Sequence, residues 1–272
     1  MKSPSGTPPR ALTIAGSDSG GCAGVQADLK TFAALGAHGM SVITSVTAQD
    51  TRRVYLSSEI PLENIQRQIE AVVEDIGVDA MKTGLLPSAA VIGLVTEKIK
   101  QFEMRCVVVD PVMVSTGGDR LVQDDVLGRL KAELFPLATV VTPNLQEAES
   151  LVGREITGKQ DLQEAAREIF ELGSRAVLVK GGHLEDPNFS TDYLYDGDEL
   201  TALVGPRLYS RNTHGSGCTF ASAITAYLAR GMGLKDAARR AKEFVTEAIR
   251  HSFSLGHGHG PLGHFWKYWD QT

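Results

Sequence analysis

The chain has 272 residues, 42% of them hydrophobic and 22% charged, so it can bury the core of one large domain or of two small ones. Its net charge of −6 gives no basic surface for nucleic acid or anionic lipid, and no segment approaches the roughly 18 apolar residues that span a bilayer. Three scattered cysteines do not form a disulfide framework, so we expect a cytoplasmic protein. Because the charge gives no basic surface, we expect a small-molecule partner. We interpret residues 1–9 as a disordered N-terminus and residues 10–272 as a single α/β domain.

Six β-branched runs predict the strands of a sheet. Each run ends at Gly, Pro, Asp or Asn, and each is apolar enough to be buried on both faces, as strands of parallel sheets are. The sheet is therefore predicted to be mostly parallel. The runs are residues 10–16, 39–49, 78–84, 105–112, 138–144 and 175–182.

Helical patterns alternate with these strands. Apolar residues form one stripe between residues 65 and 76 and another between residues 162 and 170. Asp161 and Glu164 have the spacing of a capping box for the second helix. This alternation predicts right-handed βαβ crossovers and a doubly wound sheet, whereas the segment 190–208 predicts a β-hairpin around Asp-Gly-Asp-Glu.

Polar, glycine-rich loops follow the predicted strands, where ligands of open α/β sheets bind. The first loop, residues 16–24 (GSDSGGCAG), does not match the register of a GxGxxG dinucleotide fingerprint, and the chain lacks the P-loop pattern GxxxxGK(S/T). This loop is either a tight strand-to-helix turn or a backbone that a ligand approaches closely.

A sharper signal is the sequence HGSGC, residues 214–218. Gly215, Ser216 and Gly217 leave backbone N–H groups free just before a predicted helix, whose N-terminus attracts anions such as phosphate. Cys218 falls in the first helical turn, where the helix dipole is expected to lower the pKa of the thiol. The alternatives are a glycine-rich helix start without a ligand and a cysteine that is only a small buried apolar side chain.

Eight segments, taken together, resemble the hydroxymethylpyrimidine/phosphomethylpyrimidine kinases, thiamine-biosynthesis enzymes of the ribokinase-like superfamily. The resemblance covers residues 10–266 and implies a three-layer αβα fold and a homodimer. It also implies ATP-dependent phosphorylation of 4-amino-5-hydroxymethyl-2-methylpyrimidine and then of its monophosphate. The segments are TIAGSDSGGCAGVQADLKTFAALG, SVITSVTAQDTR, MKTGLL, VVVDPVM, VVTPNLQEAESL, VLVKGGH, NTHGSGCTFASAI and GHGHGPLGHF.

The resemblance implies a pyrimidine site. Gln49 matches a glutamine that pairs with the ring, and its carboxamide offers both a donor and an acceptor. Asp28 matches a substrate-side carboxylate; the alternative is a charge on a helix face. Gly16 and Val112 would line the ring, and Leu85 replaces a methionine common in bacterial relatives, which nearly conserves volume.

The resemblance also implies a metal site. Asn144 and Glu147 match the NxxE element that positions Mg²⁺, which prefers oxygen ligands. Their spacing is also that of a capping box, and both roles are compatible. Asp110 follows a strand and could hold the metal or orient the substrate.

Residues around ATP are implied in the same way. Lys180 and Thr213, with Asn144, match positions near the phosphates, and Lys82 could offset phosphate charge or be a surface lysine. Cys218 matches the general base that takes the proton of the hydroxymethyl group during in-line attack on the γ-phosphate. Mg²⁺ and the amides of residues 215–218 would then hold the developing charge.

Several residues depart from the family pattern. Cys22 stands where relatives commonly have glycine and could narrow the first loop, and Asp50 and Arg53 are also atypical. For the three C-terminal histidines we favour a structural or lid role over a metal site, because no acid or cysteine completes one. These histidines are His257, His259 and His264.

Two other functions compete with this hypothesis. A pyridoxal or pyridoxine kinase would keep the fold and change the substrate. A non-catalytic pyrimidine-binding or regulatory protein would keep the pocket without turnover, although Asn144, Glu147, Lys180 and Cys218 argue against it. A dinucleotide oxidoreductase ranks last, because the fingerprint and the ribose acid are not placed correctly.

Overall fold

The structure is a computed structural model that describes residues 6–113, 125–182 and 186–269. Residues 1–5 of the predicted N-terminal tail, and His183 of the segment VLVKGGH, lie outside the described residues. The first strand begins at Arg10.

Strands and helices alternate along the described chain. Among the described residues, no helix combines the length and the apolar character needed to cross a bilayer. The strands are β1 (Arg10–Asp18), β2 (His38–Gln49), β3 (Val54–Glu59), β4 (Ala80–Thr83), β5 (Val107–Val109), β6 (Val140–Val141), β7 (Val177–Val179), β8 (Phe189–Tyr195) and β9 (Leu200–Pro206). The α-helices are α1 (Gly24–Ala34), α2 (Leu62–Asp75), α3 (Ala89–Gln101), α4 (Val126–Arg129), α5 (Leu145–Val152), α6 (Lys159–Phe170), α7 (Ser216–Ala229), α8 (Leu234–Arg250) and α9 (Trp266–Trp269).

In the described part of the chain, nine strands form one sheet in the order β3-β2-β1-β4-β5-β6-β7-β8-β9. The strands from β2 to β7 in this order pair in parallel, whereas β3 and β8 pair antiparallel with their inner neighbours. Strands β8 and β9 form the predicted hairpin. The prediction of a doubly wound, mostly parallel sheet is therefore confirmed.

Helices cover both faces of the sheet, because the central strands are apolar on both sides. Val107 and Val109 pack into the core that contains residues of α2, α3, α5 and α6. Val108, between them, packs into the opposite core with residues of α1, α7 and α8. Together these contacts give the three-layer αβα architecture.

Local boundaries differ from the predicted ones. The runs 105–112 and 138–144 contribute only the short strands β5 and β6, since the polar residues that follow them line a pocket. The capping box predicted at Asp161 is wrong: α6 begins at Lys159 with Gly158 as its N-cap. Asp161 instead lies in the first helical turn and accepts hydrogen bonds from the amide and hydroxyl groups of Thr157 at 3.0 and 2.8 Å.

The chain order fixes where a ligand can bind. From β1 the chain passes to β2 on one side and later returns to β4 on the other side of β1. Loops that leave neighbouring strands in opposite directions open a crevice at the carboxyl ends of those strands. The functional site is therefore expected beyond β1 and β4.

Candidate active site

A pocket of about 470 Å³ opens beyond the carboxyl ends of the central strands. It brings together the predicted site residues from seven separate segments, with the exception of Asp28. Its lining includes Gly16, Gln49, Lys82, Leu85, Asp110, Val112, Asn144, Glu147, Lys180, Thr213, Gly215, Ser216, Gly217 and Cys218.

The glycine turn before α7 forms one wall of this pocket. Gly215 is the N-cap, with φ at 84°, and a Cβ there would lie 1.9 Å from the carbonyl oxygen of Cys22. Only glycine fits such a left-handed and crowded position. A Cβ at Gly217 would lie 3.3 Å from the Nζ of Lys180, so the turn directs its backbone toward the cationic part of the pocket.

Cys218 lies in the first turn of α7, with its thiol next to the backbone amide of Gly24. Burial, together with the charges of Asp28 and Asp110, raises the pKa of this thiol to about 12 against the opposing effect of Lys82. The predicted lowering of the thiol pKa by the helix is therefore wrong, because desolvation outweighs the helix N-terminus. The buried Cys218 therefore favours the neutral thiol form.

Lys82 and Asp28 form a fully buried ion pair beneath the pocket. The Nζ of Lys82 lies 3.0 and 3.1 Å from the two carboxylate oxygens of Asp28, and both side chains have zero exposure. Thr13 and Ser222 also donate to Asp28, at 2.7 and 2.5 Å. The alternative that Lys82 is a surface lysine is therefore wrong. Asp28 lies under the pocket wall instead of in it, because these three partners enclose its carboxylate.

At the opposite end of the pocket, a second lysine, Lys180, lies near the acidic side chains of Asp110 and Glu147. Lys180 donates to Asp110 at 3.0 Å, and the hydroxyl of Thr142 donates to the same oxygen at 3.2 Å. Asn144 and Glu147 form the predicted capping box of α5. The backbone N–H of Glu147 donates to the side-chain oxygen of Asn144, and the backbone N–H of Asn144 donates to the carboxylate of Glu147. Burial raises the pKa of Glu147 to about 7, although the charge of Lys180 opposes the shift.

The acids at this end fit a magnesium ion. Asp110 and Glu147 both line the pocket with hard carboxylate oxygens, which Mg²⁺ prefers. The raised pKa of Glu147 shows that the local positive charge does not fully compensate its buried carboxylate. A divalent cation beside it would supply that compensation.

A histidine and an aspartate that the sequence did not single out define the other end of the pocket. The Nε2 of His214 lies 3.0 Å from the amide nitrogen of Gln49 and 3.6 Å from a carboxylate oxygen of Asp18. Asp18 also accepts backbone N–H groups of Gly20, Cys22 and Ala23 at 2.8–2.9 Å. Gln49 is thus held at the pocket wall by its neighbours. The sequence feature that could have pointed to His214 is its position directly before the glycine turn.

Another set of residues that the sequence did not reveal lies beside α8. Lys242 donates to Asp192 at 2.8 Å and to the hydroxyl of Ser190 at 3.1 Å, and Arg207 donates to the carbonyl of Gly182 at 2.9 Å. No short motif connects these residues, since they come from β8, α8 and the segment after β9. Apolar residues also line this side of the pocket, as is common in small-molecule sites. They are Pro206, Leu208, Phe220, Val245 and Ile249.

The atypical residues lie away from the pocket wall. The Cys22 side chain is buried and is not part of the lining, so the predicted narrowing of the loop is wrong. Asp50 accepts the amides of Arg52 and Arg53 in the turn after β2, also outside the lining.

The C-terminal histidines have separate surroundings. His257 and His259 are exposed, whereas the ring of His264 is buried and lies 2.9 Å from the hydroxyl of Thr219. Among the described residues these three side chains do not form a cluster of metal ligands.

The three-layer fold, the glycine turn at the start of α7 and the two buried lysines, Lys82 and Lys180, are consistent with a kinase of the ribokinase-like fold. The chain belongs to the phosphomethylpyrimidine kinase family, whose model matches residues 18–263. It is 49% identical over 260 residues to the hydroxymethylpyrimidine/phosphomethylpyrimidine kinase of Streptomyces coelicolor, covering 96% of each chain. It is 51% identical over 253 residues to the thiamine biosynthesis bifunctional protein ThiED of Geobacter sulfurreducens, covering 93% of this chain and 51% of that protein.

Solved structures agree with this assignment. The pyridoxal kinase of Bacillus subtilis, an ADP complex, superposes with a TM-score of 0.88 at 41% identity, covering 95% of this chain and 98% of its own. The phosphomethylpyrimidine kinase of Clostridium difficile superposes with a TM-score of 0.78 at 42% identity, covering 88% of this chain and 99% of its own. The predicted family, fold and class of activity are confirmed.

Proposed function

We propose that this chain transfers the γ-phosphate of ATP to 4-amino-5-hydroxymethyl-2-methylpyrimidine and then phosphorylates the monophosphate to the diphosphate. The observation that carries the proposal is the convergence of Gln49, the turn 215–218 and Lys180 on one pocket. Gln49 offers a donor and an acceptor to an aminopyrimidine edge, while the turn and Lys180 offer N–H groups and positive charge to phosphates. The identities to hydroxymethylpyrimidine/phosphomethylpyrimidine kinases support it.

The residues of the pocket divide the chemistry between them. The substrate hydroxymethyl oxygen attacks the γ-phosphorus, its proton passes to the sulfur of Cys218, and the bond to ADP breaks. Because Cys218 favours the neutral thiol form, it must first release its own proton to solvent, and the nearby ammonium group of Lys82 favours this step. The amides of residues 215–218 and Lys180 stabilise the charge that develops on the phosphoryl oxygens.

Magnesium would complete this arrangement. Asp110 and Glu147 would hold the ion, with Asn144 orienting Glu147 through the capping box. When bound, Mg²⁺ neutralises charge on the phosphates of the nucleotide.

The first test of the mechanism is the variant Cys218→Ala. Loss of a general base lowers kcat by about 10²–10⁴, whereas KM for the pyrimidine changes little because the ring contacts remain. Steady-state rates with both substrates measure the two parameters. Near-normal kcat in the variant would show that another group takes the proton.

The substrate is tested by turnover with ATP and Mg²⁺ on the aminopyrimidine, its monophosphate and pyridoxal, with products followed by mass. Formation of both the mono- and the diphosphate is expected. Pyridoxal phosphate alone would reassign the substrate, and tight pyrimidine binding without turnover would indicate a regulatory protein.

Pyridoxal phosphorylation is the second candidate function, because pyridoxal kinases of Bacillus subtilis and Staphylococcus aureus superpose with TM-scores of 0.88. One of the Staphylococcus aureus structures holds AMP-PCP together with pyridoxal. The same three-substrate comparison separates the two activities.

We also propose that the protein is a cytoplasmic homodimer. Val46 and Leu56 are exposed on one face of β2 and β3, at an edge of the sheet, and offer apolar area for a second copy. Sedimentation velocity of the purified chain should give a dimer mass. A monomer at micromolar concentration would refute this part of the proposal.

A further inference from the structure

Three side chains of different chemical type meet beside the pyrimidine end of the pocket. They are Asp18, Cys22 and His214, and all three are buried. One ligand atom of each lies within 4.8 Å of the others, and the His214 Nε2 lies 3.6 Å from an oxygen of Asp18. Cys22 makes no contact that the catalytic scheme above requires.

We propose that Asp18, Cys22 and His214 bind a thiophilic divalent cation such as Zn²⁺, and that this cation opposes binding of the pyrimidine. Zinc is held by sulfur, nitrogen and carboxylate oxygen at about 2.0–2.3 Å, so its tetrahedral ligands lie about 3.3–3.7 Å apart. The separation of His214 and Asp18 already fits this spacing. The Cys22 sulfur, which donates to the carbonyl of Gly20 at 3.6 Å, would exchange this contact for the ion.

The surroundings prepare these residues as ligands. The carboxylate of Asp18 is fixed by three backbone N–H groups, as ligating carboxylates usually are. In the tautomer whose Nε2 carries the lone pair, His214 accepts a hydrogen bond from the Gln49 amide nitrogen 3.0 Å away, and this is the form that binds a metal. Zinc binding forms a Zn–S bond and releases the Cys22 proton to solvent. One thiolate and one carboxylate then balance the two charges of the ion.

Occupation of this site has a consequence for Gln49. The same His214 lone pair cannot serve both the cation and the Gln49 amide, so zinc removes a hydrogen bond that orients Gln49. Asp18 and His214 line the pocket, which places the fourth ligand position on the substrate side. Zinc should therefore raise KM for the pyrimidine. This effect rests on the proposed function, whereas binding of the ion does not.

Cobalt reports binding directly. In Mg²⁺-free buffer, one equivalent of Co²⁺ should give a near-ultraviolet thiolate-to-cobalt band in the wild-type chain and in Cys106→Ala and Cys218→Ala. The band should vanish in Cys22→Ala and Cys22→Ser, with thermal unfolding showing that each variant is folded. The Cys22 variants should bind Zn²⁺ at least about 100-fold more weakly, more than the loss of a residue that only supports a ligand. A wild-type chain without the band, or a band that persists without Cys22, overturns the site.

Steady-state kinetics provide the second part of the test. With Mg²⁺ in excess, Zn²⁺ should raise KM for the pyrimidine in the wild type and in Cys106→Ala but not in Cys22→Ser. Equal inhibition of all three proteins would show that zinc acts elsewhere and would refute the effect on the pyrimidine. A chain that binds cobalt through Cys22 but does not phosphorylate the pyrimidine refutes only the proposed function, whereas an active kinase without the band refutes only the zinc site.

Discussion

The buried pair of Asp28 and Lys82 joins α1 to β4 directly beneath Cys218. Each member is removed from water, so each depends on the other and on the hydroxyl groups of Thr13 and Ser222. Burial alone would lower the pKa of Lys82, but the nearby acidic groups, Asp28 first among them, together raise it above its usual value, so the ammonium group stays charged. The pair thus keeps the positive charge of Lys82 close to the thiol of Cys218.

Removing one partner should be costly. Asp28→Asn is expected to lower the unfolding free energy by about 3–5 kcal/mol, because it leaves a buried ammonium without an anion. The double variant Asp28→Leu with Lys82→Met should recover most of this loss, since it removes both charges. Urea unfolding gives these values. Asp236→Asn, at the exposed pair with Arg239, is the control and should change little. A double variant as unstable as Asp28→Asn would refute the reasoning.

The sequence identified residues whose role depends on local geometry. The capping box at Asn144 and the glycine turn before Cys218 follow from backbone spacing alone, and the structure contains both. The position of Asp28 under the pocket could not be predicted in the same way. It depends on how α1, β4 and α7 pack, and so does the raised pKa of Cys218.

At the scale of elements, the start of α7 depends on how close it comes to the first loop. Gly215→Ala should abolish most turnover, because a Cβ would collide with the carbonyl of Cys22 and displace the backbone amides that we propose to bind the phosphates. Gly153→Ala is the matched control: its φ of 73° is similar, but open space surrounds it. This control should lose about 1–2 kcal/mol of stability and keep its kcat.

Rates and urea unfolding of both variants test this prediction. If Gly153→Ala lost as much turnover as Gly215→Ala, backbone strain rather than the contact with Cys22 would explain the effect.

The loop after α8 is tied to α7 through His264 and Thr219, one residue beyond Cys218. Burial lowers the pKa of His264 from 6.5 to about 4, and the charge of Lys30 adds to this effect. The folded state therefore binds this proton less readily than the unfolded state. The corresponding stability is present above pH 6.5 and is lost as the pH falls toward 4, by about 3 kcal/mol.

Unfolding free energies measured from pH 7.5 to 4 test this dependence. His264→Gln should flatten the curve relative to the wild type, whereas His257→Gln, at an exposed position, should leave its slope unchanged. Parallel curves for all three proteins would show that other groups cause the acid dependence.

At the scale of the whole molecule, the arrangement of the strands in the sheet brings the residues of the candidate site together. Residues at or just after the carboxyl ends of β1, β2, β4, β5, β6 and β7 all reach the same pocket, and residues of α7 also line it. The alternation of strands and helices was sufficient to predict this arrangement, because parallel strands end at one edge of a sheet. The residues beside α8 were not predictable, since they meet only through the hairpin β8–β9 and α8.

A site built from so many elements should couple ligand binding to the stability of the entire chain. We expect one cooperative unfolding transition, seen at the same midpoint by far-ultraviolet circular dichroism and by tryptophan fluorescence. The fluorescence reports the C-terminal end, where Trp266 stacks on His251 with ring centroids 5.1 Å apart. ADP with Mg²⁺ at about 100 times its Kd should stabilise the fold by about 2.7 kcal/mol and move both signals together. Separate midpoints, or a shift in one signal alone, would show that the segment after α8 unfolds independently of the sheet and would contradict the single domain expected for residues 10–272.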